Sequence, residues 1–365
     1  MNLSRNILLI PGPLTTSLKV KKALELDYSA REPIFIKTIK NVRDNLLSIS
    51  DTNKNKYTSI LLQGSGTYGN ESIFNSLPNN SKVNVFSNGI YGDRLGELCK
   101  YNNVLHKNIQ LNYKEQITEE IIEDSIKDCD STHIALVHNE TTSGIINPIN
   151  KIIPIIKKYN KKVIVDAISS YGGIPININE LDIDYLVGSS NKCLHGHPGI
   201  TFIIANRDTL KECENNSNTL SLDLFKQYED FELGEQFRFT PPVQIINSLN
   251  QSLIELNYEG IETRYNRYKL FNDIIYKELT KIEFEPYLPR EICGPIVSTY
   301  YIPQYIKEFN FDTFSKRLRK QNIVLYPSPI NNPRLIRIGN IGDITMKELL
   351  ESLNIIKSEI LKFIY

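Results

Sequence analysis

Residues 188–199 read GSSNKCLHGHPG, a short polar turn between two apolar runs that holds one lysine, one cysteine and two histidines. Three chemistries would account for that density. Lys192 could serve as a covalent amine, for which small neighbours such as Ser189 and Ser190 leave room in a crowded pocket. Cys193 could serve as a thiol nucleophile, which needs an activating base and an exposed, electropositive setting. Cys193, His195 and His197 could hold zinc, but C-x-H-x-H is not a usual zinc spacing and no HExxH or second Cys/His cluster accompanies it. No metal site is therefore expected, and the two histidines are expected to line the mouth of a site. His138, at the end of HIALVH, reads as a packed strand-end residue rather than a base.

Two other stretches bear on the choice. GSGT (64–67) follows the apolar run YTSILLQ (57–63) and precedes the helix-like NESIFNSL. Small residues at such a turn let backbone N–H groups and the helix N-terminus approach a phosphate, and the hydroxyls of Ser65 and Thr67 add donors. The same tetrapeptide also suits an ordinary glycine-rich turn. VIVDAISSYGG (163–173) ends a buried strand on Asp166. A charge there is costly unless something positive meets it, and ligand crevices of open α/β sheets lie at such strand ends. The plain alternative is a helix N-cap, as a solvated loop position is for Lys192. Together the three stretches meet the needs of pyridoxal 5′-phosphate: a phosphate cradle, an acid to keep the pyridine nitrogen protonated, and a lysine to bond the aldehyde. The displaced amine can then move a proton as base and acid.

These residues need a scaffold that brings strand ends together. From about 57 to 205, short β-rich runs alternate with helical patterns: YTSILLQ, KVNVFS, HIALVH, KKVIVDAIS, DYLVGSS and GITFIIANR. Continuous Ile/Val/Leu runs of this length are buried on both faces, which predicts a parallel or mixed sheet flanked by helices. After about 250 the texture changes. Ile261, Tyr265, Tyr268, Phe271, Ile275 and Leu279 fall at helical spacing, FSKRLRKQNIVLYP and LIRIGNIG suggest helix and strand, and Thr345 with Glu348 opens a last helix as a capping box. A large domain over 16–250 and a smaller α+β domain over 251–365 are expected, with segment 1–15 packing near the active site.

Composition narrows the function further. The 365 residues carry 42 basic and 42 acidic side chains, so nothing in the charge balance favours nucleic acid or an anionic membrane. No apolar run approaches the roughly 20 residues of a membrane span, and the N-terminal run before its prolines is too short for a signal peptide. Five scattered cysteines without CxxC spacing suit a reduced, cytoplasmic setting.

Over nearly its whole length the sequence resembles the 2-aminoethylphosphonate–pyruvate transaminases, within the fold-type I, class V aminotransferases. The resemblance rests on LLIPGPLTTSLKVKKAL (8–24), YTSILLQGSGTYGNES (57–72), VFSNGIYGDR (85–94), HIALVHNETTSGIINPI (133–149), VIVDAISSYGGIPI (163–176), IDYLVGSSNKCLHGHPGITFII (183–204), SLDL (221–224), FRFTPP (237–242) and RIGNIGD (337–343). It implies a three-layer α/β/α large domain with a mostly parallel mixed sheet, a smaller C-terminal domain, and a homodimer with shared active sites. It implies Lys192 as the lysine that bonds the cofactor and Asp166 as the partner of the pyridine nitrogen. Ser65, Gly66 and Thr67 correspond to the phosphate cradle, with Thr240 reaching the same phosphate from the second copy. Tyr91 corresponds to the aromatic over the ring, Thr141 to the hydroxyl near its phenolic oxygen, and Arg337 to the arginine gripping the substrate's acidic group. The implied reaction takes 2-aminoethylphosphonate and pyruvate to phosphonoacetaldehyde and alanine in two half-reactions.

The sequence departs from that pattern in places. YSAREPIF (28–35) stands where this branch often carries a Trp- and Asp-rich stretch, and leans toward alanine–glyoxylate and serine–pyruvate relatives. Arg31 there is either a second cation for a phosphonate or a solvated loop residue. Asn139 replaces a usual serine, and His195 and His197 replace uncharged residues.

Overall fold

A computed structural model describes Leu3 and residues 5–364. The main sheet has seven strands: β1 (Tyr57–Gly64), β2 (Lys82–Ser87), β3 (Leu105–Gln110), β4 (His133–Val137), β5 (Lys162–Asp166), β6 (Tyr185–Ser189) and β7 (Gly199–Asn206). Their spatial order is β1-β7-β6-β5-β4-β2-β3. β7 is antiparallel to both neighbours, and the remaining pairs are parallel. The six apolar runs are thus strands of one mixed sheet. Their branched aliphatic side chains are buried on both faces throughout β4, β6 and most of β5 and β7. Strand β3, LHKNIQ, carries no such signal. It is exposed along nearly its whole length and is held at the sheet edge by backbone pairing to β2.

Register decides where the chemistry collects. With β7 antiparallel between them, β1 and β6 run in the same direction, as does β5 beside β6. Gly64, Asp166 and Ser189, the last residues of these strands, therefore finish at one edge of the sheet. Helices α1 (Pro33–Ser48), α2 (Gly66–Ser76) and α3 (Ile90–Tyr101) pack against the strands, and α2 and α3 begin at that same edge.

The expected boundary at 250/251 falls inside helix α4 (Val243–Glu259), whose buried side chains through Leu256 belong to the larger core. The chain breaks instead at Gly260, where φ is +79° and a glycine is favoured. Helix α5 (Ile261–Thr280) follows and buries Tyr268, Phe271, Ile275 and Leu279, while Ile261 and Tyr265 stay partly exposed. Four short strands form an antiparallel sheet in the order β8 (Glu285–Pro286), β9 (Val297–Tyr301), β11 (Leu335–Gly339) and β10 (Tyr326–Pro327). Helix α6 (Met346–Leu361) opens with both bonds of the Thr345–Glu348 capping box in place.

The N-terminal segment joins the two bodies. Leu3, Ile7 and Leu9 lie in the smaller core, and Ile7–Leu8 pairs in parallel with Ile323–Val324. Two residues later the chain reaches the lysine turn, where the Pro11 carbonyl accepts a bond from Lys192.

Leu186, fully buried in β6, reports on the sheet that carries the site. Leu186→Ala should cost about 2–5 kcal/mol through lost burial and the cavity left behind. A lowered urea midpoint at unchanged denaturant slope is the expected reading; a loss below about 1 kcal/mol would contradict this packing.

Candidate active site

Asp166 ends β5 in the protein interior. Its Oδ2 accepts from Asn70 Nδ2 at 2.7 Å and its Oδ1 from the Ile168 N–H at 3.0 Å. Burial pushes the carboxyl up to about 6, against the pull of those two bonds and of the Arg94 and Lys192 charges. The Ile168 bond closes a local turn rather than capping a helix, so the N-cap alternative does not describe this residue. The carboxylate is held by neutral donors and has room for a cationic one.

At the end of β1, Gly64 takes φ +127°, and a Cβ there would lie 2.7 Å from the Tyr68 ring. The chain then enters α2 at Ser65, whose hydroxyl makes no capping bond. The Tyr68 N–H bonds the Ser65 carbonyl at 2.9 Å, while the Gly66 and Thr67 N–H groups lack intrahelical acceptors and are left for a ligand, with the Ser65 and Thr67 hydroxyls beside them. Gly66 has no alternative here, because a Cβ would sit 2.3 Å from Ile168.

Lys192 follows β6 in a turn closed by the His195 N–H to the Lys192 carbonyl at 2.8 Å and the Gly196 N–H to the Ser190 carbonyl at 2.8 Å. Its Nζ donates to the Pro11 carbonyl at 2.8 Å. A Cβ at Gly12 would lie 2.8 Å from Nζ, so the segment passes this close only as glycine. Burial, with a smaller contribution from the Arg337 charge, lowers the amine to about 8.

Ser65, Gly66, Thr67, Tyr91, Asp166 and Lys192 border one cavity of about 220 Å³. A larger cleft of about 1030 Å³, bordered by His138 and Asn147, contains neither Asp166 nor Lys192. Tyr91 enters the smaller cavity from the first turn of α3. That turn is fixed by Glu140, whose Oε2 accepts the Tyr91 and Gly92 N–H groups at 3.1 Å each. Its other oxygen takes the Thr142 N–H and hydroxyl at 2.9 and 2.6 Å. The donor set suits a flat ring bearing a phosphate. An uncapped helix end faces the anion, an aromatic side chain lies alongside, a buried carboxylate awaits a cationic N–H, and a weakly basic amine is at hand.

Arg337 lies on β11, buried, with Nη1 donating to the Thr141 carbonyl at 2.6 Å. Its Nε and the Thr141 hydroxyl are buried without a partner among the described residues. Burial lowers the guanidinium below its ordinary range. A buried cation resting on one carbonyl is poised for an anion.

Other expectations change. Arg31 is exposed on the loop before α1 and does not reach the cavity; it borders a separate surface hollow of about 370 Å³ together with Thr240. Thr240 is likewise exposed, and its carbonyl accepts from Gln63. His195 and His197 do not line the mouth. His195 is buried against Tyr268 at 2.5 Å, and His197 Nδ1 meets Ser248 Oγ at 2.7 Å on α4. Cys193 is buried, donates to the Ser169 carbonyl at 3.2 Å, and is pushed by burial to about 12. The three side chains point to different partners, and the thiol is no nucleophile. His138 is packed as expected, bonded to Ser170 at 2.9 Å and lowered to about 4 by burial.

Several contributors escape a linear reading. Asn70 stands four residues after Gly66 on one helix face, and Arg94, which also borders the cavity, stands three after Tyr91; that spacing is a usable signal. Glu140 and Pro11 had none, because their bonds cross long loops.

The amine makes this geometry measurable. In cofactor-free protein the pH dependence of Lys192 modification, followed by peptide mass spectrometry, should have its midpoint near 8. Arg337→Met removes a like charge and should move that midpoint upward, toward the ordinary lysine value. An unchanged or lower midpoint would show that the two cations do not share a site.

Known proteins agree with this arrangement. The family described as aminotransferase class-V matches residues 35–295. A 2-aminoethylphosphonate–pyruvate transaminase of Phocaeicola vulgatus is 36% identical over 357 residues, covering 96% of this chain and 98% of that protein. One from Bacillus cereus is 38% identical over 348 residues, covering 93% of each. Among solved structures, ureidoglycine–glyoxylate aminotransferase from Bacillus subtilis superposes with a TM-score of 0.90 at 20% identity, over 100% of this chain and 95% of that one. Pyridoxamine–pyruvate aminotransferase from Mesorhizobium loti gives 0.89 at 22% identity, with the same coverage. These two likenesses show a shared fold. With its sheet, its buried acid and its turn-borne lysine in place, the chain belongs to the class-V aminotransferases, a family of pyridoxal 5′-phosphate enzymes.

Proposed function

We propose that this aminotransferase moves the amino group of 2-aminoethylphosphonate to pyruvate, giving phosphonoacetaldehyde and L-alanine. The observation that carries the reading is one cavity holding Lys192, Asp166 and an uncapped helix N-terminus, together with the buried, under-satisfied Arg337 whose charge acts on Lys192. The relatives' names supply the substrates.

Ser65, Gly66 and Thr67 would hold the cofactor's phosphate, Asp166 its ring nitrogen, Tyr91 its face and Thr141 its phenolic oxygen, with Lys192 bonding its aldehyde carbon. Bound there, pyridoxal 5′-phosphate supplies an electron sink for the electrons left when a C–H bond next to the amino group breaks. The chain's residues do the rest. Asp166, buried and held by Asn70, keeps a proton at the ring nitrogen. Lys192 Nζ, brought to about 8, is neutral often enough near neutral pH to take the proton from the amino-bearing carbon and return it. Arg337 offers a planar fork that suits a phosphonate and a carboxylate alike, so one arginine serves both half-reactions.

Thr240 and Arg31 share a hollow outside this chain's own cavity. That supports a homodimer in which Thr240 of a second copy reaches the phosphate. Arg31 would travel with it toward the bound acid. Gly260 is the natural boundary between a large cofactor domain and a smaller C-terminal one. The cysteines are all free, which supports a reducing, cytoplasmic setting.

A donor screen tests the reading. Purified protein with pyridoxal 5′-phosphate is offered 2-aminoethylphosphonate, L-alanine or L-serine, each with pyruvate or glyoxylate as acceptor. The phosphonate–pyruvate pair should exceed the others by at least about tenfold in kcat/KM, and Lys192→Ala should lose about 10²–10⁴-fold or more. No consumption of the phosphonate, or preferred use of alanine or serine with glyoxylate, would overturn it.

A further inference from the structure

We infer that His195 is a positioning residue whose ring ties the turn carrying Lys192 to the strand carrying Arg337, fixing the reach between the two groups that hold the substrate. The inference rests on the roles given to Lys192 and Arg337 above. Its starting point is the local anomaly of the sequence, a histidine in the lysine turn that neither the cavity nor a metal uses.

His195 takes φ +64°, a conformation that non-glycine residues enter at a cost. Its N–H closes the turn onto the Lys192 carbonyl at 2.8 Å. Its Nε2 receives the Gly342 N–H at 3.1 Å and lies 2.5 Å from the Tyr268 hydroxyl. A backbone N–H can only donate, so Nε2 carries the lone pair, Nδ1 the proton, and the ring is neutral. The Tyr268 hydroxyl, against the same nitrogen, shares that single lone pair in a three-centre contact. Burial and the facing charges of Arg264 and Arg267 also hold the ring neutral.

The other end of the link is equally fixed. Gly342 has φ +112°, and a Cβ there would lie 3.0 Å from the Thr15 carbonyl. It follows β11 by three residues, and β11 carries Arg337. Between them Asn340 donates to the Tyr268 carbonyl at 3.0 Å and to the Pro295 carbonyl at 2.9 Å. Helix α5 adds a second hold, Arg264 Nη1 to the Cys193 carbonyl at 2.7 Å. Lys192 and Arg337, on different domains, are thus joined through His195, Tyr268 and Gly342. A substrate must meet one with its amino-bearing carbon and the other with its acidic group. Their separation therefore selects the length of the acid.

The test compares wild type, His195→Leu, His195→Gln and Tyr268→Phe as cofactor-loaded enzymes. Leucine cannot accept a hydrogen bond, whereas the glutamine carbonyl can take the place of Nε2. In His195→Leu, hydrogen exchange should speed up together in peptides spanning 188–199 and 335–345. The kcat/KM preference for 2-aminoethylphosphonate over 3-aminopropylphosphonate should fall about tenfold, the scale expected when a binding group shifts by a fraction of an ångström. His195→Gln should recover most of both. Tyr268→Phe should move both less and in the same direction, and it carries the test if the leucine variant does not fold. Equal losses on the two phosphonates, faster exchange confined to 188–199, or glutamine no better than leucine would each overturn the proposal. If wild type uses neither phosphonate, the substrate reading fails, while the exchange data still decide the link.

Discussion

Asp166 is carried by its strand to the buried carboxyl end of a central sheet, where an uncompensated carboxylate costs several kcal/mol. It is met there by an amide side chain and a backbone N–H, which offset only part of the burial that weakens its acidity. Much of the surrounding arrangement follows from that demand. Parallel strands bring the ends of β1, β5 and β6 to the same edge, and Gly66 leaves space where any side chain would strike Ile168. Arg337 is also buried and Lys192 partly so, and both also rest on neutral carbonyls. Three interior charges are thus held near one another, each satisfied only by neutral groups. On the function proposed above, such a site is completed by a molecule with a cationic ring nitrogen and anionic groups.

The second constraint is mechanical. The amine follows a strand of the seven-stranded sheet and the guanidinium lies on the four-stranded one, so their spacing depends on how firmly the two sheets are joined. Three features join them: the N-terminal segment, which runs from the small core to the Lys192 amine; helix α5, which grips the lysine turn through Arg264 and Tyr268; and the His195–Gly342 bond. The first and the last use a backbone conformation or a close approach open to few residues, at Gly12, Gly342 and His195.

Much of this was legible in the sequence. Asp166 and Lys192 each have an ordinary alternative when taken alone and stand out only in combination with the GSGT turn, whereas the Ile/Val-rich strands declare their burial directly. The capping box and the helix from 261 follow from local spacing. Strand β3 escaped because an exposed edge strand is held by its backbone and needs no apolar pattern. The position at 250 lies within α4, which runs unbroken to Glu259 and ends at Gly260. Glu140, Pro11 and the real setting of His195 escaped for another reason. Their partners lie 49, 181 and 147 residues away, and no local pattern encodes such pairs. Arg31 and Thr240 stand on the surface of the single chain, outside the cavity.

The central claim is that Lys192, among 42 basic side chains, is the amine that bonds the cofactor. Mixing the protein with pyridoxal 5′-phosphate, reducing with borohydride and mapping peptides by mass spectrometry tests it directly. The expected result is a single pyridoxyl-phosphate adduct on Lys192, absent when the reductant is omitted. An adduct on another lysine, or spread without preference over surface lysines, would contradict it.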